Sequence, residues 1–477
     1  MNTRKKILFC IIITILSGCN SEGNDDTLIK NKTLIKDITT KVKEKDVITT
    51  EVKIKDEITV SDLNKKLSNS LLLETKFTEV GIIKISRDGQ FLAVTDKNSD
   101  SVKIFKFNNG KWQLFDKLEP NDSHHSLFGN AVTFSQDGKI LSIGAFYAPD
   151  NGQFGVGKVY IYKFDDDHFQ LIQEIKPNFL IANANFGHQV QLSANGETLL
   201  IAAPQQKSKT CKKNHCGTVY IYQYDQNQAE WKMVSELDNP TEEASYFGSN
   251  LVLSGDGSTV LISNLASNLY WYSLVNKQLP SLIKSLETKN IISMDINHNG
   301  NVIAYSDENN NIYLYSKKGN DYQLDQTIKK PITDDVYYKD WRNYSPNGYD
   351  FGSKIVLNSQ GTVLVATSYN DDFNHFGPSF LVNGKLDNIV SKNNKHECVN
   401  QYGGESRIFS GAAYVYLNQE QQWNLTQYLK PPKIKDGYFC TKEYNGPIKL
   451  SDDITATISD NNQVFVSTIN GQIIEYK

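Results

Sequence analysis

Phe186-Gly187-His188-Gln189-Val190-Gln191-Leu192-Ser193-Ala194-Asn195-Gly196-Glu197-Thr198-Leu199-Leu200-Ile201-Ala202-Ala203-Pro204 runs on to Gly217-Thr218-Val219-Tyr220-Ile221-Tyr222. A near copy spans Phe128-Gly129 to Ala145 and closes with Gly157-Lys158-Val159-Tyr160-Ile161-Tyr162. Further copies begin at Phe247-Gly248 and Phe351-Gly352. Such a period decides the fold, because one repeat is one supersecondary unit that cannot bury its apolar surface alone.

Each copy holds four short β-prone runs. In the third copy they are Val190–Ser193, Thr198–Ala202, Thr218–Tyr222 and Lys232–Leu237, which we label a to d. Val, Ile, Leu and Tyr fill the runs, and turn pairs such as Asn195-Gly196 separate them. Four antiparallel strands of this kind form a blade, and blades stack around an axis. The a–b turn lets the copies be counted. It falls at Asp88-Gly89, Asp137-Gly138, Asn195-Gly196, Asp256-Gly257, Asn299-Gly300, Gln360-Gly361 and, in degenerate form, Asn461-Asn462. Gly and Asn recur there because a tight hairpin needs positive φ. The expectation is an all-β chain: a seven-bladed β-propeller of four-stranded antiparallel blades.

The last copy stops early. Ile454–Asn462 aligns with the a–b hairpin of copy five, Gly471–Tyr476 matches strand c, and then the chain ends without a strand d. Leu73-Glu74-Thr75-Lys76 matches Leu286-Glu287-Thr288-Lys289, the end of strand d in copy four. The N-terminal run near Ser70–Thr75 is therefore expected to supply the missing outer strand, closing the ring and removing an exposed edge.

The signature FG…V.LS.DG..L.I.AP…G.VYIY resembles the FG-GAP repeat of integrin α-chain propellers and their bacterial relatives. The resemblance covers about residues 70–477 and is fullest in copies two and three. It implies a module that binds a protein or a glycan, in adhesion or envelope assembly. Members of that family often carry a DxDxDG calcium loop at the a–b turn. Here Lys84, Thr133, Gln191 and Val252 stand where the first acidic ligand belongs in the first four copies, so that calcium does not carry over. Asp295-Ile296-Asn297-His298-Asn299-Gly300 fits D-x-N-x-N-G, but Ile303 and Ser306 occupy the ninth and twelfth positions, where calcium loops need strong oxygen donors. We expect no metal and no cofactor.

The chain has 477 residues, of which 39% are hydrophobic and 11% aromatic, ordinary values for a globular all-β protein. Arg4, Lys5 and Lys6 precede an apolar run from Ile7 to Leu16, the pattern of an export signal and too short for a comfortable membrane span. Leu16-Ser17-Gly18-Cys19 resembles the lipobox of bacterial lipoproteins, in which the chain is cut before the Cys and that Cys, here Cys19, is acylated. Asn20 is not the Asp that usually marks inner-membrane retention, so an outer-membrane lipid anchor, facing either side, is expected. The organisation is then a signal peptide over 1–18, a tether over 19–69 and the propeller over 70–477. The tether holds short alternating runs such as Val52-Lys53-Ile54-Lys55, and if flexible its mean reach is about 40 Å. Cleavage removes three positive charges and takes the net charge from −4 to −7. An acidic chain with no basic stripe argues against a nucleic-acid partner.

With Cys19 acylated, Cys211, Cys216, Cys398 and Cys440 remain, an even number for an oxidising compartment. Pairing of Cys211 with Cys216 and of Cys398 with Cys440 is expected. The competing reading is a metal site of Cys211, His215 and Cys216, whose spacing matches no standard zinc pattern. No HExxH, GxSxG, P-loop or paired CxxC is present, so no catalytic residues are assigned.

Loop lengths point to one face. The long segments Ala145–Gly157, Ala203–Gly217 and Thr367–Gly411 join b to c, and Lys330–Phe351 and Lys430–Lys449 join d to a. All leave from the same ends of the strands. Two of them bring Tyr337, Tyr338, Trp341, Arg342 and Tyr344 near Phe373, His375 and Phe376, residue types that anchor interfaces or pack as a small core of their own. The leading expectation is a non-catalytic binding module on the envelope. Its rivals are a polysaccharide-acting hydrolase or lyase using loop-face carboxylates, and a periplasmic assembly scaffold.

Overall fold

The computed structural model describes residues 37–42, 48–53, 71–72, 80–96, 100–120, 126–165, 167–178, 181–211, 213–266, 268–331, 351–368, 379–382, 385–387, 412–429, 456–467 and 473–476. The chain divides into two compact units, Met1–Leu63 and Asn64–Lys477. In the first, Asp37–Val42 pairs with Ile48–Lys53 as an antiparallel hairpin, with Ile38 opposite Val52 and Thr40 opposite Thr50. The self-similar Ile38-Thr39-Thr40 and Ile48-Thr49-Thr50 are its two sides.

The second unit is a propeller. Its inner strands, Val80–Ile85, Phe128–Phe134, Gln189–Leu192, Asn250–Leu253, Ile291–Ile296, Phe351–Leu357 and Ala456–Ile458, touch one another in chain order, and the last touches the first. Six of its sheets are four-stranded antiparallel blades, so the expectation of seven such blades is corrected. The remaining sheet, from copy six, has six strands. The cause is its b–c insert, read from the sequence as loop. Within it, Ser379–Val382 and Lys385–Asp387 form a hairpin that adds to the outer strand Gln422–Leu429, with Ser379 opposite Tyr428. An outer strand offers unpaired backbone donors and acceptors, and the insert takes them up. The N-terminal strand is where the repeat alignment places it: Leu71–Leu72 pairs with Ile473–Tyr476, Leu71 opposite Glu475 and Leu72 opposite Ile474.

Burial explains the sequence pattern of each strand. Strand b lies between neighbouring sheets and is buried along its length, as in Phe91–Asp96, Thr198–Ala203 and Val363–Ser368. It therefore reads as a continuous apolar run rather than an alternating one. Strand d faces water on one side and alternates, as in Phe169–Ile175. Separate apolar clusters sit between neighbouring sheets. One joins Phe91 and Ile104 of copy one to Phe128, Ile143 and Tyr160 of copy two. Another joins Phe465 and Ile473 of copy seven to Ile83, Leu92 and Trp112 of copy one, which seals the ring. Each fully buried Leu, Ile or Phe in such a cluster contributes about 1.5–3 kcal/mol.

In copies two, three, four and six the repeat signature is one aromatic pair. The Phe of Phe-Gly packs on the first Tyr of strand c in its own copy: Phe128 on Tyr160 at 5.3 Å, Phe186 on Tyr220 at 5.6 Å, Phe247 on Tyr270 at 5.5 Å and Phe351 on Tyr414 at 5.2 Å. The glycine before strand c lies against the next copy. A Cβ on Gly157 would stand 1.9 Å from the Phe186 carbonyl oxygen, and one on Gly217 would stand 2.1 Å from that of Phe247.

The a–b turns repeat one hydrogen-bond scheme. Ser86, Ser135, Ser193 and Ser254 each accept from the backbone N–H five residues on at 2.9 Å. Each donates to the Asp or Asn two residues on, at 2.6–2.7 Å. Asn297 and Asn358 accept the same bond in copies five and six, at 2.9 and 3.0 Å. The turn glycines have φ of 68–75°, and Asn462 takes that place in the degenerate copy at φ 59°. The turns also bond to one another. Asp88 N–H donates to Gln136 O (3.1 Å), Gln136 to Ala194 (2.8 Å), Ala194 to Gly255 (2.7 Å), Asp256 to His298 (2.8 Å) and His298 to Ser359 (3.0 Å). Asn358 Nδ2 reaches Asn462 Oδ1 at 3.1 Å, and Asp460 N–H donates to Arg87 O at 2.8 Å, completing the circle.

Two outcomes follow from this packing. Gly217→Ala should cost several kcal/mol, because its Cβ meets backbone that cannot yield, whereas Gly110→Ala, with open space around it, should cost about 1 kcal/mol for its positive φ alone. Equal losses in chemical denaturation would refute the close-approach argument. A chain starting at Thr78 should also melt well below one starting at Ser68, since the shorter chain lacks the strand that pairs with Ile473–Tyr476. Matching melting temperatures would show that the strand does not matter for closure.

Candidate functional site on the long-loop face

Antiparallel order places the b–c and d–a connections at one end of every sheet and the tight a–b turns at the other. The described long connections belong to copies two to four. In copy three, Cys211 and Cys216 form a disulfide with Cα atoms 5.8 Å apart, both buried. The sulfurs are thus committed to each other, and the Cys211/His215/Cys216 metal reading is set aside. Backbone bonds hold the loop at both ends: Gly217 N–H to Gln206 O at 2.8 Å, and Ser208 N–H to Cys211 O at 3.0 Å. It is also tied to the start of copy four, where Tyr246 N–H donates to His215 O (2.8 Å) and Phe247 N–H to Cys216 O (3.0 Å). The His215 imidazole stacks on the Tyr246 ring at 4.7 Å and 14°.

The copy-two loop is built without a disulfide. Asp150 and Gln153 form a bridge, Tyr147 N–H donates to Ser126 O (3.1 Å), and Asn183 N–H donates to Phe154 O (3.1 Å). Tyr147 and Phe154 stack at 6.2 Å. The outer surface is nevertheless apolar: Phe154 is 61% exposed, Leu127 41% and Tyr147 38%, and Leu265, bonded through its N–H to Ser245 O, is 58% exposed. The residue before Phe-Gly is left-handed in all three copies: Leu127 (φ 56°), Asn185 (φ 59°) and Tyr246 (φ 56°). Asn tolerates that conformation, but Leu and Tyr hold it at about 1 kcal/mol or more each.

Below this surface, His188 lies against the Phe146 ring at 5.3 Å, and its Nδ1 is buried with no hydrogen-bond partner. Burial pushes its pKa down, so the imidazole is neutral at neutral pH. Beside the disulfide loop a cleft of about 290 Å³ opens between copies two and three, lined by Pro177, Lys207, Tyr220, Met233, Glu236 and Asp238 among others. Lys209 pairs with Glu236 at its rim, and burial raises the Tyr220 phenol well above its ordinary value. The Asp295 loop uses its oxygens internally: Oδ2 accepts from Leu357 N–H (2.7 Å), Oδ1 from Ile296 N–H (2.9 Å), and Asn297 Nδ2 bonds Asn299 Oδ1 (2.8 Å).

Of the residues singled out from the sequence, Cys211 and Cys216 are brought together. Cys19, Cys398, Cys440, Tyr337, Tyr338, Trp341, Arg342, Tyr344, Phe373, His375 and Phe376 lie outside the described residues. Leu127, Tyr147, Phe154 and Leu265 were not anticipated. A signal existed for two of them: copy two carries Phe146-Tyr147 where copy three has Pro204-Gln205, aromatic residues at a loop position that the repeat leaves polar.

No protein-family model matches the chain, and no curated protein matches it by sequence. Among solved structures it is similar to the β-propeller domain of Cps50 (Swd1) from Myceliophteria thermophila, with 11% identity and a TM-score of 0.51 over 85% of this chain and 98% of that one. At that identity the likeness concerns the fold alone, and it agrees with the strand order described above: the Asn64–Lys477 unit is a β-propeller.

Proposed function

We propose that the protein is a non-catalytic binding module, exported and held at the bacterial outer membrane by a lipid on Cys19, that engages a protein or glycan partner through its long-loop face. A propeller scaffold suits a binding role in general. The observation that carries the reading is the set of exposed apolar side chains, Leu127, Tyr147, Phe154 and Leu265, on connections fastened by backbone hydrogen bonds. Loops ordered before binding lose less entropy on association, and aromatic side chains on them make efficient anchors. The FG-GAP resemblance favours adhesion or envelope assembly, and the Leu16–Cys19 segment supports the anchor.

The anchor and the face are tested separately. Cys19→Ser should move the protein from the membrane to the soluble fraction, and retention at wild-type levels would refute the anchor. Soluble protein, residues 68–477, would then be used to capture partners from envelope extracts and on a glycan array. Phe154→Ala or Tyr147→Ala should weaken the captured interaction by about 1–3 kcal/mol. Val275→Ala, an 81% exposed apolar residue in a c–d turn on the opposite face, should leave it unchanged. The reverse pattern would move the site to the tight-turn face. Turnover of an envelope polysaccharide would replace this reading with that of a hydrolase or lyase.

A further inference from the structure

The inner strands bring charges together around the axis. Lys84 is on the first inner strand, Asp295 on that of copy five and Lys354 on that of copy six. Copy one is flanked by copies seven and two, yet Lys84 senses the charges of both Asp295 and Lys354. Asp295 Oδ2 accepts from Leu357 N–H of copy six at 2.7 Å, so copies five and six come together at the axis. Arg87 joins them from the first a–b turn: its Nη1 donates to Leu357 O in copy six at 3.1 Å, reaching past copy seven. Lys84 and Lys354 are half-buried, and burial lowers the pKa of both.

The charges do not balance. Among the described residues, the charges that act on Lys84 are two cations, Arg87 and Lys354, and one carboxylate, Asp295; Asp460 lies by Arg87, donating its N–H to the Arg87 carbonyl at 2.8 Å. Asp295 already accepts two backbone N–H groups, from Leu357 at 2.7 Å and Ile296 at 2.9 Å. Neither lysine ammonium makes a hydrogen bond or ion pair with any described residue. Ammonium groups withdrawn from bulk water and crowded by other cations are costly unless an anion joins them. The whole chain is acidic, net −4, so the positive cluster is a local feature and not a reflection of overall charge.

We propose that this cluster binds a small oxyanion, a phosphate or sulfate group, between Lys84, Lys354 and Arg87. The ammonium groups supply point charges and rotatable donors, and the guanidinium, fixed by its bond to Leu357 O, supplies direction. Asp295 limits the affinity by competing for the same cations. Burial, with Arg87 and Lys354 adding to it and Asp295 opposing, brings the Lys84 pKa down to about 8. A lowered pKa means the charged form is present below about pH 8 and lost above it, so affinity for a sulfate, whose own charge is constant there, falls from about pH 7 to about pH 9.

Thermal denaturation of the soluble protein in inorganic phosphate, sulfate or sodium chloride at matched ionic strength tests the proposal. Phosphate and sulfate should raise the melting temperature progressively with concentration, as a ligand of the folded state must, and chloride should not. The sulfate effect should weaken from about pH 7 to about pH 9. Lys84→Met/Lys354→Met should abolish the oxyanion effect, and Asp295→Asn should enlarge it. In parallel, the wild-type protein should broaden the phosphorus resonance of inorganic phosphate, reversed by sulfate, which decides the matter even if the double variant does not fold. Equal shifts in all three salts, an unchanged shift in the double variant, or an unbroadened resonance would each overturn the site. Loss of partner capture without loss of oxyanion binding, or the converse, would separate this site from the long-loop face.

Discussion

The rest of the structure depends on close approach between neighbouring sheets near the axis. A single blade has two apolar faces and cannot satisfy both, so each sheet is stable only when flanked. Two contacts set how near the neighbours come. Gly157 and Gly217 let strand c run within van der Waals reach of the next copy's Phe-Gly backbone, and the a–b turns hydrogen-bond from copy to copy in a full circle. With each bond contributing about 1 kcal/mol net, the circle matters less for its sum than for its geometry. It fixes the angle at which each sheet meets the next, and the apolar clusters then fill the wedge outside it.

That rigidity explains the division of the molecule into a conserving face and a variable one. The turn face is committed to the hydrogen-bonded circle, where an insertion would break the contact between copies. At the opposite end, among the described residues, copies two to four bond through their connections rather than through tight turns, and the b–c and d–a connections differ in length from copy to copy. Copy two fills its loop with Tyr147 and Phe154, copy three staples its loop with Cys211–Cys216, and copy six extends its sheet with an added hairpin. Leu127 and Tyr246 hold the left-handed conformation where two of these connections enter strand a. Close packing of the inner strands has a second effect. It brings Arg87 of copy one and Asp295 of copy five, far apart in the chain, onto the same backbone unit of copy six at Leu357.

Much of this was legible in the residues. The Phe-Gly and Gly-x-Val-Tyr-Ile-Tyr words, the Asp-Gly and Asn-Gly turns and the unfinished last copy led to four-stranded blades and to the pairing of the N-terminal run with the C-terminal strand. These features are local: a turn needs positive φ, a strand between two sheets needs apolar residues on both faces, and a missing strand leaves an edge that something must cover. The Cys211–Cys216 bridge was legible for the same reason, the two residues being five apart.

What only the tertiary structure decided is long-range. The hairpin that turns the copy-six sheet into six strands depends on which edge its insert meets, and no period in the insert announces it. The exposure of Leu127 and Leu265 depends on what surrounds them, since an apolar residue in a loop reads the same whether covered or bare. The convergence of Arg87 and Asp295 on Leu357, from three different copies, depends on ring closure. A sequence states which face of a strand is apolar because side-chain direction follows the local backbone period. It does not state which distant strand lies opposite, because that is set by the packing of the whole ring.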